Sequence, residues 1–148
     1  MRKINLVISA IALFFVFNAC KKSDSPNSPS PNDARTVQNF SGTYNLTALK
    51  ATVLGVSIDL LDSLPACEKD NEIQLNANLS AQFIDSGLQC TPPSDSTGTW
   101  SLSSNTDTLY VAGSANFINS WDGTTLVLTG TQQVSGFQAT VNTTLVKK

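Results

Sequence analysis

The chain has 148 residues, 41% hydrophobic and only 14% charged, with three cysteines, no histidine and a formal charge of −2. That length suits one domain of ordinary size, and the missing histidine excludes His-based triads, His–zinc sites and imidazole proton shuttles. The faintly acidic balance is wrong for nucleic acid, which asks for a basic surface, and so few charges amid many Ser, Thr and Asn point outside the cytoplasm.

Residues 1–19 read as a signal peptide. Arg2 and Lys3 precede an apolar run from Leu6 to Phe17, interrupted only by Ser9. Crossing a bilayer takes about 20 apolar residues, whereas this shorter run has the length of a signal-peptide core. A buried helix of the domain would not start Arg-Lys or continue into a proline-rich stretch. The segment ends Phe17-Asn18-Ala19-Cys20, which resembles the bacterial lipobox. Phe17 and Asn18 depart from the usual pattern in the manner of Bacteroidetes-type lipoproteins. The resemblance implies cleavage before Cys20 and its acylation by chains such as palmitate. Each buried methylene contributes about 0.8 kcal/mol, and two chains already anchor a protein stably. A membrane is therefore the first expected partner. Lys21 stands where an aspartate would mark inner-membrane retention, so the expected location is the outer membrane, with its periplasmic or cell-surface face left open.

Cys20 and residues 21–39 form the expected tether. The segment holds Pro26, Pro29 and Pro31 and no aromatic residue before Phe40, too little apolar surface to offset ordering entropy, and its prolines favour extended chain. Cleavage leaves seven basic against eleven acidic residues, a balance of −4, which is ample for solubility.

Residues 40–148 read as one domain of strands. Alternation of apolar and polar residues, the mark of a strand with one buried face, runs through residues 43–53, 72–77, 79–85, 98–103, 108–112, 115–121, 125–131 and 136–146. Turn signals separate them: Asn76-Ala77-Asn78, Asp85-Ser86-Gly87, Asp122-Gly123 and Ser135-Gly136. Eight strands with short connections imply an antiparallel meander, closed to a barrel or flattened to a sandwich. Residues 54–66 suit either a short strand or a helical turn, and long connections of this kind can act as lids.

With Cys20 assigned to lipid, Cys67 and Cys90 remain for a disulfide in an oxidising compartment. Free thiols or a metal pair are the alternatives, but no histidine or further cysteine exists to complete a metal site. The carboxylates Asp59, Asp62, Glu68, Asp70 and Glu72 lie near one another in sequence, yet Asp70-Asn71 is ordinary turn chemistry and calcium-loop spacing is absent. No nucleophile elbow or phosphate loop occurs. No enzyme activity, catalytic residue, metal or cofactor is expected.

The stretches Gly42-Thr43-Tyr44, Cys67-Glu68-Lys69-Asp70-Asn71-Glu72-Ile73 and Cys90, followed by Gly98-Thr99-Trp100-Ser101-Leu102, resemble in order and spacing the lipocalin-like domains of small Bacteroidetes outer-membrane lipoproteins. Tyr44 stands where that family usually has tryptophan. The resemblance implies an all-β, eight-stranded antiparallel up-and-down barrel with one internal disulfide. Such a barrel is just wide enough to be filled by side chains or to hold one small ligand. Leu75 and Leu126 are expected inside it. Tyr44, Leu46, Phe83, Trp100, Leu102, Phe117, Leu128 and Phe137 are expected inside and as contacts for a small apolar or amphipathic ligand. The alternative is a filled barrel that meets envelope proteins or glycans through its surface. A third reading presents residues 86–93, with Pro92-Pro93, to a protease. A monomer without nucleic-acid partners is expected. Asp-Ser/Thr triplets at Ser63, Ser96 and Thr108 resemble O-glycosylation acceptors.

Overall fold

A computed structural model describes residues 34–134 and 136–148. Its longest strand, β1 (Gly42–Val53), organises the rest by offering both edges. Along one edge it pairs with β9 (Phe137–Lys147), as in Leu49↔Thr143 and Ala51↔Val141. On the other edge its first half pairs with β3 (Glu72–Leu75). From β3 each strand pairs antiparallel with the next: β4 (Ser80–Ile84), β5 (Ser96–Leu102), β6 (Thr108–Val111), β7 (Ser114–Trp121), β8 (Thr125–Val134) and β9. Eight strands thus close an antiparallel barrel, and sheet closure leaves few edges to aggregate.

Residues 54–66 supply a ninth strand. β2 (Val56–Asp59) folds back on the second half of β1, with Ala51↔Ile58 and Val53↔Val56 in register. The chain then turns into a short helix, α2 (Ala66–Lys69), which carries Cys67 into its disulfide with Cys90.

The inward residues change character along the barrel. At the end where β1 begins, the core is large: Phe40, Tyr44, Leu75, Trp100, Leu109, Ile118, Trp121, Leu126 and Leu145 are all buried. A single helical turn, α1 (Val37–Phe40), plugs this end. Thr36 caps it, its Oγ1 accepting the Asn39 N–H at 3.2 Å, and the Phe40 ring lies 4.9 Å from that of Trp121. Arg35 reaches the Asp107 carboxylate at 3.2 Å. The folded unit therefore starts before residue 40, and residues 35–39 belong to this plug, not to the tether. The expected signal segment, Cys20 and most of the expected tether lie outside the described residues.

Towards the other end the core is small, built from Ala51, Ala139 and Val141 with Leu49, Val53 and Leu60 beside them. Loop 85–95, the disulfide, β2 and the β6–β7 and β8–β9 turns surround that end.

Candidate ligand-binding site

Five of the residues expected to meet a ligand, Leu46 among them, sit in or against the filled half. Tyr44, Trp100 and Leu128 are buried in the large cluster and Leu102 packs against it. The polar tips are occupied: the Tyr44 hydroxyl donates to the Phe40 carbonyl at 2.7 Å, and Trp100 Nε1 donates to the Asn76 carbonyl at 2.8 Å. Burial pushes the Tyr44 phenol pKa far above its ordinary value. Leu46 packs against the large cluster too and, with Phe83, also lines a recess of about 310 Å³ shared with Leu64, Glu68, Glu72 and Ile73.

Two inward assignments are corrected. Phe117 is 53% exposed. The register of β7 shifts between Ile118 and Ser120, and this bulge places Ile118 and Trp121 inside, so strict alternation from Trp121 assigns Phe117 to the wrong face. Phe137 is 54% exposed, because it opens β9 at the tip of the β8–β9 hairpin, paired with Val134 of β8 but beyond the last β1 partner at Thr140.

The cavity itself is at the small-residue end. It has a volume of about 300 Å³ and is walled by Leu49 of β1, Leu60 after β2, Ser114 and Asn116 of β7, Gly130 and Gln132 of β8, and Val141 and Thr143 of β9. Leu49↔Thr143, Gly130↔Val141 and Leu109↔Asn116 are register pairs on the inner face. Gly130 makes the space: a Cβ there would stand 2.9 Å from Asn116 Oδ1. Asn116 is steadied by a 3.2 Å hydrogen bond from Nδ2 to the Ser114 carbonyl. Outside the cavity, Val56 and Ile58 of β2 face the same way as Val53 and Ala51 and remain exposed, giving the opening an apolar lip. The 54–66 connection thus contributes a wall through Leu60 and a lip through β2.

The carboxylates are structural. Asp85, 6% exposed, accepts from the Cys90 N–H at 3.0 Å and the Ser94 N–H at 3.0 Å, while its own N–H donates to Asp95. Asp70 accepts the Leu88 N–H at 2.7 Å, and Asp59 accepts the Leu61 N–H at 3.0 Å. Glu72 accepts hydrogen bonds from Lys148 and, to a lesser effect, from Ser86, which hold its carboxyl below the usual range. In the sequence, Asp85 carries only the signal of an Asp-Ser-Gly turn. Among the described residues, no three His, Cys, Asp or Glu side chains group to hold a metal. Ser63 and Ser96 are exposed, whereas Thr108 is half-buried within β6.

No curated protein matches the chain. The profile of the lipocalin-like domain matches residues 40–132, from Phe40 of the plug through six barrel strands and most of the seventh, β8, with β9 beyond the match. Lipocalin-like domains are typically binding modules, not enzymes. With a closed eight-stranded antiparallel barrel, the chain belongs to the lipocalin-like domain family.

Proposed function

We propose that this protein binds a small apolar or amphipathic molecule in the open end of its barrel while acyl chains on Cys20 hold it on the outer membrane. The observation that carries the reading is the cavity of about 300 Å³, lined by small and polar residues and edged by exposed Val56 and Ile58. That volume is at the lower edge of the range for ligand pockets, about 300–1,000 Å³. Anchorage is supported by the lipobox-like Phe17-Asn18-Ala19-Cys20. The described chain starts at the plugged end, so a tether arriving there leaves the open end free.

Uptake of the neutral dye Nile red, read by fluorescence, tests the binding. Ser114 is exposed at the cavity rim, so Ser114→Trp blocks the opening without disturbing the core and abolishes uptake. No uptake by the wild type, or undiminished uptake by the variant, overturns the reading in favour of a barrel that works through its surface. Incorporation of labelled palmitate, lost in Cys20→Ala, tests the anchor, and an unlabelled wild type refutes it.

A further inference from the structure

We infer that the cavity selects electrically neutral amphiphiles, such as long-chain alcohols, acyl esters or amides, and rejects the corresponding carboxylates; this rests on the binding role proposed above. The cavity walls carry Ser114, Asn116, Gln132 and Thr143 beside Leu49 and Val141, and no charged side chain. A carboxylate seated there would lose water and gain no cation, which is unfavourable unless it becomes protonated.

None of the described cations lies on the cavity wall. Lys147 bonds the Asn39 carbonyl and Arg35 pairs with Asp107, both at the plugged end. Lys148 pairs with Glu72, and Lys69 bonds the Asp62 carbonyl. Lys50 precedes inward Ala51 and is exposed on the outer face, in register with Asn142 and Asp59. What the cavity offers a headgroup is neutral hydrogen bonding. Asn116 Oδ1, set over the space that Gly130 leaves, accepts no hydrogen bond from the described residues and is free to take one from a hydroxyl or amide. A cavity this size holds about ten groups as large as a water molecule, so a ten-carbon chain is a matched probe.

Displacement of Nile red from the whole folded domain, at mildly alkaline pH, is compared for decanol and decanoate. Decanol is expected to bind more tightly by about tenfold or more. Gln132→Lys places an ammonium at the rim, on a side chain already exposed, and is expected to bring decanoate level with decanol or ahead of it. Circular dichroism confirms that the variant is folded. Decanoate binding the wild type as well as decanol does overturns the selectivity while leaving the binding role intact. An unchanged preference in folded Gln132→Lys shows that wall charge does not set it, and also overturns the inference. Failure of both probes to displace bound dye overturns it too, by showing that the cavity takes neither class, whereas absence of dye binding sinks the underlying role.

Discussion

Phe40→Ala tests whether the single turn α1 is a structural plug or a decoration of the tether. The ring is fully buried, lies against Trp121 at 4.9 Å and belongs to the same cluster as Tyr44. Truncating a buried Phe costs about 3–5 kcal/mol in lost transfer energy plus the cavity left behind. The backbone carbonyl of residue 40 still accepts the Tyr44 hydroxyl, so the substitution perturbs packing and leaves that hydrogen bond available. For a domain of this size 1 kcal/mol shifts Tm by roughly 4 °C, which predicts a fall of about 12–20 °C. Urea unfolding followed by tryptophan fluorescence gives the free energy, since Trp121 reports directly on the contact. Nile red binding per folded molecule is expected to persist, because the plug and the cavity are at opposite ends. A loss below about 1 kcal/mol refutes the plug, that being an ordinary cost for a point mutation. Loss of dye binding with unchanged stability refutes the assignment of ends.

Two further predictions concern the polar and covalent ties. Tyr44 keeps its proton in the fold to a pH above that at which an unfolded tyrosine loses it, so the unfolded state binds fewer protons above about pH 10 and stability falls as pH rises. Lys147 works the opposite way, because burial lowers its pKa and deprotonation relieves a desolvated charge. Urea titrations of wild type and Tyr44→Phe, in which Lys147 is common, are expected to show a shallower alkaline decline in the variant, and parallel declines refute the assignment to Tyr44. The double variant Cys67→Ser, Cys90→Ser opens a closure of sequence separation 23 and is expected to lose about 3 kcal/mol. Asp85→Ala, which frees the Cys90 and Ser94 N–H groups, is expected to speed proteolytic nicking within residues 86–95, and an unchanged nicking rate refutes its role as the loop's internal anchor.

Alternation made the barrel legible: each of the eight expected strands is present, with ends displaced by a few residues at most. What alternation could not show was where its phase breaks. The bulge after Ile118 is invisible in a pattern that already looks regular through Trp121, and that pattern puts Phe117 inside. The β1–β2 hairpin was hidden by its turn. Leu54 and Gly55 have φ of +49° and +82°, a conformation that favours Asn or Asp followed by Gly, and leucine in that seat carries no turn signal. The cysteine pairing needed only compartment and parity.

The site was less legible because large aromatics drew attention to the half of the barrel they fill. A cavity is written in small residues at inward positions. Along β8 the inward series runs Leu126, Leu128, Gly130, and along β9 it runs Leu145, Thr143, Val141, Ala139. Both taper away from the plugged end, and that taper was present in the alternation itself.

The taper also explains how the protein tolerates a hollow end. Unfilled volume forfeits dispersion contacts and apolar burial, so stability has to come from elsewhere. The aromatic cluster under α1 supplies it at one end, while the Cys67–Cys90 bridge and the Asp85 network restrain loop 85–95 at the other. Neither device borrows a residue from the cavity wall. Leu49, Leu60 and Val141 belong both to the small core and to the cavity wall. The division leaves the cavity open beside exposed Val56 and Ile58 while packing and the bridge hold the barrel around it, which is the arrangement the proposed binding role requires.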